Sequence, residues 1–153
     1  MELLNKKQRN NGGFSLVELI VVIAIMVVLV AVLAPLFSKY IESSRRSTDV
    51  QNASSIAEAV MADVADGKIT ASDTYVVVTD NNVSAITKQP KTKGDAVKAD
   101  DTFSYHYTGG NQAEVFVTSD TAHKYNLAIE GEKGEDGKYT NGAGAYKEAA
   151  SAD

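Results

Sequence analysis

Glu18 is the ionisable residue whose position asks most of the chain. It ends the stretch Gly12-Gly13-Phe14-Ser15-Leu16-Val17-Glu18 and stands directly ahead of a run, Leu19 to Phe37, that contains no charged residue. The length of that run approaches the ~20 residues a helix needs to cross a hydrocarbon core. A carboxylate at the edge of such a span costs on the order of 2 to 3 kcal/mol when it has no partner, less if it snorkels to the headgroups. The small, flexible Gly12-Gly13 pair lies before the apolar run, where an extended segment could enter a protease and leave the whole hydrophobic helix on the product.

Other chemistry is sparse. His106 and His123 are the two histidines and there is no cysteine, which removes zinc-finger-type spacing, disulfides and thiol nucleophiles. His106 alternates with the aromatics of its strand and is expected to be solvated. No phosphate-binding loop or nucleophile motif occurs. Glu130, Glu132, Glu135 and Asp136 offer oxygen ligands of the kind calcium takes, but Gly131, Gly134 and Gly137 between them favour a mobile acidic turn. Asn52-Ala53-Ser54 and Asn82-Val83-Ser84 fit the minimal glycosylation pattern, which chance supplies often. Neither a cofactor nor a metal is expected.

The elements that must carry these residues follow from charge and periodicity. Lys6, Lys7 and Arg9 outweigh Glu2 ahead of Gly13, whereas the whole chain carries −5. A basic flank before an apolar span keeps the leader in the cytoplasm and sends the acidic body across the membrane. A secretory signal would have a shorter apolar region and a small-residue cleavage site after it. The comparable site, Val32-Leu33-Ala34, is followed by Pro35, whose ring and missing N–H disfavour extended binding of the scissile bond. Pro35 also predicts a kink in the helix. Beyond Phe37, apolar residues at Tyr40, Ile41, Ala53, Ile56, Ala57, Val60, Met61 and Val64 recur at helical spacing. Lys39, Glu42, Arg45, Arg46, Asp49, Glu58 and Asp63 fall mostly elsewhere. One helix from Phe14 to Asp66 is therefore predicted, ending at Gly67 in a left-handed cap. Arg45-Arg46 reads as a solvated face or an ion pair with another subunit rather than a nucleic-acid patch, given the acidic body.

Downstream the period becomes two. Thr74–Thr79 and Val83–Thr87 form a predicted hairpin across Asp80-Asn81-Asn82, and 89–101 a polar, exposed connection. Phe103, Tyr105 and Tyr107 define a strand that turns at Gly109-Gly110-Asn111 into Val115-Phe116-Val117, and Tyr125, Leu127 and Ile129 alternate in another. The fold class expected is α+β, with the second half of a long N-terminal helix packed on a small antiparallel β head. Its expected parts are a leader over 1–13, an apolar helix over 14–37, an amphipathic continuation over 38–67, the β head over 68–130 and a polar, loose tail over 131–153.

Gly13-Phe14-Ser15-Leu16-Val17-Glu18, after a short basic leader and before about twenty apolar residues, resembles the N-terminal motif of type IV prepilins and the related pseudopilins. The likeness covers the leader and about the first forty residues after it. It implies that a prepilin peptidase cuts after Gly13 and that the new amine of Phe14 is methylated. It further implies that Glu18 pairs with this amine on a neighbouring subunit, offsetting the cost of the carboxylate. Pro35 then sits where the family's helix kinks and can lose helicity on assembly. The function implied is a structural subunit, the major pilin of a type IV pilus, and not an enzyme. A pseudopilin of a type II secretion or competence system is the alternative, and a membrane-anchored adhesin or binding module a more distant one. The implied partners are copies of the chain itself, the peptidase, an inner-membrane assembly platform with its ATPase motor, and the lipid bilayer before assembly, with no direct nucleic-acid contact. The implied location is a single-pass membrane precursor that becomes an extracellular filament.

Overall fold

The computed structural model of the chain describes residues 13–94, 102–119 and 122–148, so the leader up to residue 12 and the last five residues lie outside it. In chain order the described elements are α1 (Leu16–Ala65), β1 (Ser72–Val77), β2 (Thr102–Tyr107), β3 (Glu114–Ser119), β4 (Ala122–Asn126) and α2 (Gly142–Glu148). The chain divides between Phe37 and Ser38 into two compact units.

The N-terminal unit is the apolar part of α1. It forms a helix through Pro35, and its side chains from Phe14 to Phe37 are all exposed. By length and composition this helix can cross a membrane. An apolar surface this extensive on one chain calls for lipid or other protein to cover it.

The unit that begins at Ser38 has its own core. The four strands form one antiparallel sheet in the order β1-β2-β3-β4. Phe103 pairs with Val117 and Tyr105 with Val115, which places these four side chains on one face. They join Ala53, Ile56, Ala57 and Val60 of α1 in a buried cluster with Val78, Val83 and Leu127. The alternation of aromatics in β2 thus delivers its apolar side to the helix, as its period of two predicts.

Three sequence expectations fail here. Val83–Thr87 is not a strand; it belongs to a turn that buries Val83, and β1 pairs with β2 instead. Asn82 holds that turn by accepting the Thr79 N–H at 3.0 Å and donating to the Val77 carbonyl at 2.7 Å. The tail is not loose between 131 and 148. It folds into a bridge between Lys133 and Tyr139 and then α2, whose Tyr146 is completely buried. Tyr146 docks this stretch of small and charged residues, and the Tyr139 ring packs against Gly144 within it. Finally, the connection is not exposed throughout: Lys91 and Lys93 are exposed as expected, but Gly94 is buried against α1, and 95–101 lie outside the described residues.

The helix face turned to the head also differs from the apolar set. Along its centre the buried positions are Glu42, Arg46, Asp49, Ala53, Ile56, Val60 and Asp63, an alternating four-and-three spacing that stays on one side of a helix, with Ala57 and Ala59 buried beside it. Four of them are charged, while Tyr40 and Ile41, expected on this face, are exposed. Arg46 is accordingly not solvated. Its Nε donates to Glu42 Oε1 at 2.7 Å, its Nη1 donates to the Tyr146 carbonyl, and its guanidinium lies 5.0 Å from the Tyr146 ring centroid. Asp49 accepts the Lys93 N–H at 2.9 Å, the Gly94 N–H at 2.9 Å and the Tyr146 hydroxyl at 2.7 Å. Buried charge is tolerated here because the Arg46 guanidinium and the Asp49 carboxylate each find several hydrogen-bonding partners. This polar knot ties residues 93–94 and α2 to α1.

Candidate functional site

The N-terminal residues singled out by type and spacing meet at the start of α1. Ser15 immediately precedes the helix and Glu18 lies in its first turn. The Glu18 carboxylate Oε2 accepts the Ser15 backbone N–H at 2.9 Å. This is the return half of a capping box, in which an acidic residue three positions after the cap satisfies a donor the helix leaves open. The carboxylate also sits at the positive end of the helix dipole. Ser15 was not among the residues read as functional, although Ser-x-x-Glu ahead of an apolar run is a recognisable signal for it. Phe14 is 84% exposed, and a side chain on Gly13 would meet no other atom within 4 Å, so the bond between them lies in open surroundings. Pro35 stands apart from this group, inside α1.

The arrangement holds a carboxylate one residue from the Phe14 nitrogen. In the intact chain that nitrogen belongs to an amide; a cut after Gly13 would make it an amine, for which a fixed carboxylate is a complementary charge.

Other candidate groups resolve into structure. His106 is buried rather than solvated, stacked on Tyr75 with ring centroids 4.3 Å apart. Its Nδ1 is 3.0 Å from Glu114 Oε2 and its Nε2 is 3.3 Å from Asp73 Oδ1. The face opposite the core is thus covered by an aromatic ring from the neighbouring strand, which a single-strand pattern does not reveal. His123 lies on β4. The acidic turn is a defined loop in which Gly134 donates to the Lys138 carbonyl at 2.8 Å and Lys138 donates to Asp136 Oδ1 at 3.1 Å. Among the described residues no group of three or more His, Cys, Asp or Glu side chains converges to hold a metal. The Asn82 amide nitrogen, which a glycan would require, is engaged by Val77.

Residues 8–34 match the prokaryotic N-terminal methylation motif. The N-terminus therefore carries a class III prepilin signal, ahead of a pilin-like α+β arrangement. The chain is similar to prepilin peptidase-dependent protein A of Clostridium perfringens (strain 13 / Type A), at 38% identity over 76 residues. That match covers 50% of this chain and 54% of the relative, so it spans about half the length of each. No solved structure matches the chain. The apolar helix and the signal motif are consistent with a membrane-anchored precursor.

Proposed function

We propose that the chain is the major structural subunit of a type IV pilus. Prepilin peptidase cuts after Gly13, the amine of Phe14 is methylated, and the exposed apolar helix then leaves the bilayer for a bundle of like helices in the filament. The observation that carries this reading is the class III signal placed directly on a fully exposed apolar helix. The name of the clostridial relative, prepilin peptidase-dependent protein A, supports the peptidase as a partner. Exchange of lipid for neighbouring helices involves no large hydrophobic loss, since lipid tails and apolar side chains are alike in polarity. An ATPase motor and an inner-membrane platform supply the work.

Glu18 is the assembly residue. Its carboxylate, already held at the start of α1 by the Ser15 N–H, receives the Phe14 amine of an adjacent subunit once processing has created it. A buried pair of this type fixes register more than it adds net stability. Glu18→Ala is expected to leave cleavage after Gly13 intact, seen as Phe14 at the N-terminus of the extracted protein, and to abolish surface filaments in electron micrographs. Normal filament yield from this variant would remove the role. Long shed filaments built mainly of this chain identify the pilin; processed, expressed protein without such filaments identifies the pseudopilin instead.

A further inference from the structure

The first turn of α1 beyond the apolar run carries a feature that neither cleavage nor helix bundling uses. The helix rises about 1.5 Å per residue, so Leu19 to Phe37 covers about 28 Å along its axis, close to the ~30 Å of a hydrocarbon core. All described α1 side chains up to Ile41 are exposed, and Glu42 is the first that the protein itself buries. Lys39 and Tyr40 fall between these limits. Tyr40 is 76% exposed although aromatic, and the periodicity that would have turned it toward the head does not do so.

Both side chains have an apolar body and a polar tip, the composition suited to the boundary between acyl chains and water. The ammonium of Lys39 complements phosphate-bearing headgroups, and Tyr40 follows the hydrocarbon-length run by one turn. We infer that Lys39 and Tyr40 are the outer membrane-interface anchor of the unassembled subunit, seated in the phospholipid headgroup layer. The inference rests on the membrane-anchored reading given above. It assigns these residues a lipid partner and sets the depth of the helix in the bilayer before extraction.

The chain contains no tryptophan, so Tyr40→Trp introduces a single reporter at an exposed position. The full-length variant is reconstituted in vesicles of phosphatidylcholine and phosphatidylglycerol, with the phosphatidylcholine brominated at a shallow or a deep acyl position. Leu29→Trp, in the middle of the apolar run, is the deep reference. Flotation with the vesicles tests membrane anchoring; the quenching pattern tests the anchor residues. The expected result is co-flotation, emission from the Tyr40→Trp indole shifted to shorter wavelength than in water, and stronger quenching by shallow than by deep bromines, with the order reversed for Leu29→Trp. Co-flotation with an unquenched, water-like indole at position 40 overturns the anchor and leaves the membrane reading standing. An indole unaffected by bromines whose emission follows the protein-to-lipid ratio makes a second copy the occupant and overturns the lipid assignment. Failure to co-float overturns both.

Discussion

Asp49 has no exposed surface, yet its carboxylate receives two backbone N–H groups and a phenol. Hydrogen bonds to a charged group contribute about 1.5 to 3 kcal/mol each, so Tyr146→Phe is expected to destabilise the fold by about 2 kcal/mol, measured by urea denaturation of the detergent-solubilised chain. Burial, reinforced by the Asp49 carboxylate, pushes the Tyr146 phenol well above its ordinary range, so the hydroxyl is a donor throughout the physiological interval. Gly94 packs so closely that a Cβ there would lie 2.6 Å from the Tyr146 hydroxyl oxygen. Gly94→Ala is expected to cost about 1 to 3 kcal/mol, because the fully buried ring has no space into which to yield, and the same denaturation measures it. Asp63 supplies a pH dependence. The Ser84 N–H, which it accepts at 2.6 Å, and the Ser84 hydroxyl hold its carboxyl below the usual carboxylate value, with Lys68 contributing less. The native state thus binds the proton less readily than the unfolded chain. The stabilisation is present above the ordinary carboxylate pKa and disappears as pH falls through the lower native value. Asp63→Asn should flatten the loss of stability on acidification below about pH 4, as read from melting temperatures across that interval; an unchanged slope would remove Asp63 as its source.

At the scale of elements, the end of α1 is a Schellman motif. Gly67 has φ 72°, its N–H donates to the Val64 carbonyl at 3.0 Å, and the Lys68 N–H donates to the Asp63 carbonyl at 2.8 Å. These bonds satisfy carbonyls that the helix end leaves open. Nothing lies within 4 Å of a Cβ at Gly67, so Gly67→Ala tests backbone strain alone. It should lower stability by about 1 kcal/mol, with Gly67→Asn closer to the parent, in parallel thermal melts. The glycine stop was legible in the sequence because only its local conformation matters. The buried face of α1 was less so. Pattern reading assigns charged residues to solvent, yet Glu42, Arg46 and Asp49 point inward because their partners, Tyr146 and the 93–94 backbone, come from distant positions in the chain. α2 shows the same limit, since seven residues with two glycines among them are too short to hold a helix on their own, and the docking of Tyr146 holds them.

For the whole molecule, two units with different surfaces divide one helix between them. The unit from Ser38 onward encloses its own apolar cluster, whereas the preceding segment exposes apolar side chains throughout. A chain starting at Ser38 is expected to stay in solution without detergent and to unfold in one cooperative transition by circular dichroism. Removal of residues 142–153 from that chain should lower its melting temperature sharply, since it deletes Tyr146 from the core. Retention of the parent melting temperature would show that α2 is dispensable. The sequence alone determined the N-terminal segment of this protein: the methylation motif over residues 8–34 and the uncharged run after Glu18 are patterns of spacing along the chain, and spacing is visible in one dimension. The strand character of β2 and β3 was equally open, because alternation is local. Only the tertiary structure decided the pairing of β1, the burial of His106, the course of residues 131–148 and the inward charged stripe on α1. Each of these depends on a partner brought close by folding, and a buried polar group is stable only where that partner stands.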